Sequence, residues 1–123
     1  CMRGQQVDGE TSAAACRATM GGRARPIPAT LWHGADDVVV SPVNLDALAV
    51  MFSRLNAIVS STTVPRSGAV HAEYRDTGGR LAVETWLIEG MSHAWSGGDP
   101  RATHTFPPGP SATERILDFL LGG

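Results

Sequence analysis

Lysine is absent from this chain of 123 residues: all 10 of its basic side chains are arginine, and 12 acidic residues bring the net charge to -2. With no basic patch dominating, a nucleic-acid or anionic-membrane partner is argued against. Cysteine is scarce, limited to Cys1 and Cys16. Neither belongs to a Cys-x-x-Cys pair, so nothing resembles a thiolate zinc site. No window approaches the roughly 18 to 20 apolar residues of a membrane span, and no signal-type segment opens the chain. What is present is a 42% hydrophobic fraction with 14 Gly and 8 Pro. That suffices for one domain with a core and many turns, burying roughly two-thirds of the chain's surface on folding.

Cys1 stands where an initiator Met is ordinarily found, and it suggests a piece of a longer polypeptide. A bridge from Cys1 to Cys16 would close a loop of about 15 residues, worth roughly 3 kcal/mol in the chain-entropy account. Two unpaired thiols, or partners in upstream sequence, are the alternatives.

Residues 1–26 are weakly patterned, with a short Ala-rich helix expected over Thr11 to Met20 and Ser12 near its start. Ala29-Thr30-Leu31-Trp32, between Pro28 and His33-Gly34, reads as a buried strand ending in a turn. Ser41-Pro42 supplies an N-cap and a first-turn proline. Leu45, Leu48, Phe52, Leu55 and Val59 then mark the apolar face of a helix over 43–59, closed by Ser60 to Thr63 and Pro65. Val70 to Arg75, the turn 76–79 and Leu81 to Ile88 read as a β-hairpin, with His71 exposed on it. Residues 90–110 form a long Gly/Pro-rich loop. Ser111-x-x-Glu114 is a capping box for a last helix ending before Gly122. The fold class is α/β, with strands and helices interleaved.

Two segments carry polar residues directly after predicted strands: His33 to Pro42 and Gly90 to Gly98. In open α/β sheets, ligand chemistry collects beyond the carboxyl ends of strands. An acid after one strand and a histidine after the other can meet there. A carboxylate that accepts an imidazole's Nδ1–H fixes the tautomer and stabilises the imidazolium, the base half of a nucleophilic triad. Taken alone, Asp36 and Asp37 are also ordinary turn formers.

His-Gly-Ala-Asp-Asp-Val-Val-Val-Ser-Pro-Val-Asn (33–44) resembles the acid-loop motif of α/β-hydrolases. Gly-Met-Ser-His-Ala-Trp-Ser-Gly-Gly (90–98) resembles the histidine loop of the polyhydroxybutyrate depolymerase-type esterases. The resemblance covers roughly residues 26–121. It implies that Asp37 is the triad acid and His93 the base, in the family's order of Ser, Asp, His. Asp36 stays a solvated turn residue, and Asn44 supports the Asp37 loop or is an ordinary surface residue. Trp95 lines the acyl or polymer site or packs the histidine loop, and His104 either touches substrate or is an ordinary structural or exposed loop histidine. His33 is a packed or turn-bonding histidine.

The sequence departs from that pattern in one respect: no Gly-x-Ser-x-Gly occurs in it. The resemblance therefore implies the carboxyl-terminal part of a single α/β-hydrolase domain: its last strands, a hairpin and two flanking helices. The nucleophile half would lie upstream. The implied function is carboxylic-ester hydrolysis by a secreted serine esterase, without metal or organic cofactor. Its substrate would be a polyhydroxyalkanoate-like, feruloyl or acetyl ester. Two rivals are a non-catalytic binding or structural module derived from that fold, and a metal site built from His33, Asp37, His93 and His104.

Overall fold

The computed structural model describes residues 8–23 and 25–122. Cys1 lies outside them, and with it the pairing of Cys16. The first helix, α1 (Gly9–Met20), begins two residues earlier than its Ala-rich stretch suggests, because Asp8 rather than Ser12 caps it. The Asp8 carboxylate accepts the Glu10 N–H at 3.1 Å and the Thr11 hydroxyl at 2.5 Å. Strand β1 (Ala29–Gly34) follows, then α2 (Val43–Leu55), β2 (Ser60–Arg66), β3 (Ala69–Arg75) and β4 (Leu81–Ile88). Two very short strands, β5 (Trp95–Ser96) and β6 (Thr105–Phe106), lie in the long loop, and α3 (Ala112–Leu121) ends the fold.

The main sheet has the order β1-β4-β3-β2. β1 and β4 run parallel with Gly34 opposite Ile88, while β4-β3 and β3-β2 are antiparallel. This is a mixed α/β fold, with α2 on β1 and β4 and α1 packed against α2. Period-two alternation puts Thr30, Trp32, Glu84, Trp86, Ile88, Ala69 and His71 on one face. Trp86, Ile88, Ala69 and Met91 form a buried cluster there, with Trp32, Ala94 and Phe106 against it.

Four expectations are corrected. α2 stops at Leu55 rather than 59, because buried Asn56 donates its side-chain amide to Ile27 O and Phe52 O and turns the chain. Val59 is consequently exposed. Ser41 does not cap α2; the Asn44 amide instead donates to Ser41 O at 3.0 Å. Ser60 to Thr63 and Pro65, expected to close the helix, instead belong to the edge strand β2, which is largely exposed and tolerates Pro65 because one side of it needs no ladder bonds.

The fourth correction is His71, which is 0% exposed. Its ring stacks on Trp86 at 3.9 Å between centroids, and Trp86 stacks on Trp32 at 4.8 Å. His71 Nε2 lies 3.0 Å from Glu84 Oε2, while its Nδ1 accepts from Arg66 Nε at 3.3 Å. Since Nδ1 accepts, the hydrogen sits on Nε2 and points at the carboxylate. Glu84, also 0% exposed, further accepts the Thr30 hydroxyl at 2.8 Å and a two-pronged contact from Arg115 of α3 at 3.1 and 2.7 Å. Thr30 in turn accepts from the Trp32 ring N–H. Burial pushes the Glu84 carboxyl up, but Arg115, Thr30 and His71 together hold it below the ordinary value. Burial outweighs Glu84 at His71 and lowers the imidazole, so the ring is neutral at neutral pH.

Candidate active site

The carboxyl ends of β1 and β4 lie side by side, and a loop leaves each. The two loops are stitched by backbone bonds: Ala35 N–H donates to Ile88 O at 2.9 Å and Asp36 N–H to Met91 O at 3.0 Å. Gly34 makes that approach possible, since a Cβ there would run into the carbonyl oxygens of Met91 and Ser92. Gly90, with φ 73°, turns the chain out of β4, and Met91 returns at once to the core at 2% exposure.

Asp37 and His93 face each other across the stitched loops. His93 Nδ1 is 2.9 Å from Asp37 Oδ2, and the carboxylate side chain is 5% exposed against 55% for the imidazole. The other carboxylate oxygen, Oδ1, accepts Val39 N–H at 2.9 Å and Val40 N–H at 2.8 Å. Burial alone pushes the Asp37 carboxyl up, yet the Val40 N–H, the His93 ring and the Val39 N–H outweigh it and hold the group below the usual aspartate value. An ionised Asp37 only accepts, so the hydrogen of the contact belongs to His93 Nδ1. In the neutral ring Nε2 is then the basic nitrogen. A buried carboxylate behind an exposed, correctly tautomerised imidazole is an arrangement for general-base catalysis.

The histidine loop is folded rather than loose. Trp95 N–H donates to His104 O at 2.8 Å, and Gly97 and Phe106 exchange two backbone bonds at 2.8 and 3.2 Å. Ser96, 2% exposed, donates its hydroxyl to Pro110 O at 2.6 Å. The Trp95 ring N–H donates to Thr113 Oγ1 on α3 at 3.2 Å, and the ring itself is half-exposed. Trp95 therefore braces the loop against α3 while leaving apolar surface open. His104 is exposed with φ 59°, and among the described residues its ring makes no hydrogen bond or ion pair. Asp36 is exposed, and Asn44 bonds Ser41 O at the start of α2.

His33 is the neighbour the sequence reading placed least specifically. Its Nε2 lies 2.8 Å from Val40 O and 3.5 Å from Asp37 Oδ2. The His-Gly dipeptide was the available signal, but the contact needs the loop to fold back seven residues onto the strand. Among the described residues, no group of three or more His, Cys, Asp and Glu side chains is placed to hold a metal ion. No Ser, Thr or Cys among them is hydrogen-bonded to His93 either; Ser92 is exposed and Ser96 is committed to Pro110. A cavity of about 480 Å³ lies by α2, β2 and β3, lined by Asp46, Ser53 and Tyr74 among others, and includes neither Asp37 nor His93.

The chain is thus a mixed α/β fold that brings an acid and a histidine together at the carboxyl ends of β1 and β4. No family model matches the chain. It is similar to poly(3-hydroxyalkanoate) depolymerase C of Paucimonas lemoignei, 32% identical over 66 residues. The match takes in 52% of this chain and 16% of the relative's length. That is a distant relationship spanning about a sixth of the depolymerase. Among the described residues, no helix is long and apolar enough to cross a membrane.

Proposed function

We propose that this chain carries the acid and the base of a serine-type carboxylic-ester hydrolase related to the polyester depolymerases. The observation that carries the reading is the 2.9 Å contact between His93 Nδ1 and buried Asp37. The chain would then be the carboxyl-terminal part of an α/β-hydrolase domain, with the nucleophilic serine and the oxyanion donors supplied from outside these 123 residues. In the reaction, serine Oγ attacks the ester carbonyl while His93 Nε2 takes its proton. Asp37 stabilises the resulting imidazolium. Collapse of the tetrahedral intermediate expels the alcohol, which takes the proton back from His93, and water cleaves the acyl-enzyme by the same route. This chemistry calls for no metal or organic cofactor.

The proposed substrate is a polyhydroxyalkanoate-like ester, with feruloyl and acetyl esters as further candidates for the same machinery. Val38, Val39 and Trp95 are exposed on the two loops that carry the pair and offer apolar surface beside it. An exported location goes with this reading. The rival, a binding module without catalysis, is favoured by the lack of any hydroxyl on His93 among the described residues.

The test is ester hydrolysis by the longest polypeptide that the gene encodes. Asp37→Ala and His93→Ala should each lower kcat by about 10³-fold or more while leaving the melting transition in place. Retained turnover in either variant sinks the catalytic assignment. No turnover in the unaltered polypeptide supports the binding module.

A further inference from the structure

His33 sits one pair before the end of the β1–β4 ladder, opposite Leu87, with its side chain 12% exposed. It is on the α2 side of the sheet, away from the stacked tryptophans. From there its ring reaches forward to the loop that holds the acid. A carbonyl only accepts, so the 2.8 Å contact with Val40 O places the hydrogen of the neutral imidazole on Nε2.

Val40 is the pivot of the arrangement. Its N–H donates to Asp37 Oδ1 at 2.8 Å, and its C=O accepts from His33. One loop residue is therefore gripped from both sides, by the carboxylate it orients and by a ring fixed to the sheet. The same His33 Nε2–H lies 3.5 Å from Asp37 Oδ2, the oxygen that holds His93. That is too long for a good hydrogen bond, but the partial positive charge of the N–H still faces that oxygen. The backbone bonds from Ala35 and Asp36 fix the start of the loop, whereas Val40 lies at its far end, just before α2.

We propose that His33 is a positioning residue for Asp37: through Val40 it sets where the carboxylate presents Oδ2 to His93. This rests on the catalytic reading above, for which Asp37 and His93 are the reacting pair. His33 itself touches no substrate in this account. Its role needs an N–H donor at the Nε2 position and not an aromatic ring. Glutamine can place its amide N–H near that point. Asparagine is too short to reach it, and phenylalanine has no donor.

The experiment compares His33→Gln, His33→Asn and His33→Phe in the longest polypeptide that the gene encodes. A soluble p-nitrophenyl ester gives kcat and KM, and long-range nitrogen–proton NMR of the His93 ring gives the fraction carrying its hydrogen on Nδ1. His33→Phe and His33→Asn are expected to lower kcat roughly 10- to 100-fold, as for misplaced catalytic groups, with KM within about twofold. The Nδ1–H form of His93 should fall in both. His33→Gln should recover kcat to within about fivefold of the parent and restore the Nδ1–H signature. Should His33→Phe fail to fold, His33→Asn carries the comparison, since it keeps a polar side chain of smaller size.

Unchanged kcat and an unchanged His93 signature in His33→Asn overturn the proposal. So does a His33→Gln variant that folds yet is as impaired as His33→Asn. The NMR arm reads the Asp37–His93 contact whether or not ester is turned over. Failure of the catalytic reading appears instead as full activity in Asp37→Ala or His93→Ala.

Discussion

Replacing Arg115 with methionine tests the buried network beneath the site, because it removes a cation and leaves a carboxylate behind. Arg115 gives Glu84 Oε2 two N–H contacts at 3.1 and 2.7 Å, and Glu84 has no exposure to recover by moving. Removing one partner of a buried ion pair costs about 3–5 kcal/mol. Arg115 is itself 28% exposed, and Glu84 keeps Thr30 and His71, so the low end applies. About 3 kcal/mol is a large share of the roughly 5–15 kcal/mol that holds an ordinary domain together.

The cost should depend on pH in a definite direction. Burial is the main influence holding the His71 imidazole down and Arg115 adds to it, while Glu84 and, more weakly, Glu73 raise it. In Arg115→Met the unpaired carboxylate draws a proton onto His71. Arg66 and Glu73 also face that ring, and their charges oppose one another. In the parent the lowered proton affinity of His71 costs stability as pH falls below the unfolded value, about 6.5 for histidine, and a variant whose His71 takes its proton more readily loses less on that side. Urea titrations should therefore show a loss of about 3 kcal/mol at pH 8 that is smaller at pH 5.5. A loss under about 1 kcal/mol at pH 8, or one growing toward acid, would refute the argument.

Two further outcomes follow from the site. Gly34→Ala should separate the stitched loops, since its Cβ meets backbone carbonyl oxygens that cannot swing aside. We expect about 1–3 kcal/mol of lost stability and loss of the His93–Asp37 contact, read by the His93 NMR signature; a wild-type signature contradicts this. The 123 residues produced alone should turn over p-nitrophenyl esters at no more than about 10²-fold above the uncatalysed rate, because the pair can then only help water. Turnover matching the longest polypeptide would place a nucleophile inside this chain.

Local signals made part of this fold legible. Ser111 accepts Glu114 N–H, and Gly122 turns left-handed at φ 75°, so α3 is bounded as its sequence reads. Asp76 Oδ1 accepts Gly78 and Arg80 N–H groups, which closes the β3–β4 turn where Asp-Thr-Gly-Gly suggests. β2 was hidden because Ser60 to Pro65 has no alternation and only Val64 as an apolar strand former, and its partner β3 alone defines it as a strand. His71 and Glu84 were hidden for a different reason. Whether a polar side chain on a strand is buried depends on what covers that face, and Arg115 comes from 31 residues beyond Glu84. At the site, the motifs singled out Asp37 and His93. His33 opens the acid-loop motif, but its contact with Val40 O was not legible, because it is a fold-back onto a backbone carbonyl that any residue could supply.

The placement of His93 combines the two kinds of information. Before it, Met91 is sunk in the core and its carbonyl is held by Asp36 N–H, an arrangement that Gly34 and Gly90 permit. After it, Trp95 and Ser96 are tied to Thr113 and Pro110 at the start of α3. α3 is in turn held to the sheet by Arg115 on Glu84. Only Ser92, His93 and Ala94 lie between these anchors, so the exposed imidazole has little chain to move on. The first anchor is made of glycines and backbone, and of it the sequence shows only the two glycines. The second runs through a buried ion pair, and the sequence conceals it. A residue can thus sit at the surface while its position is set from the core on both sides.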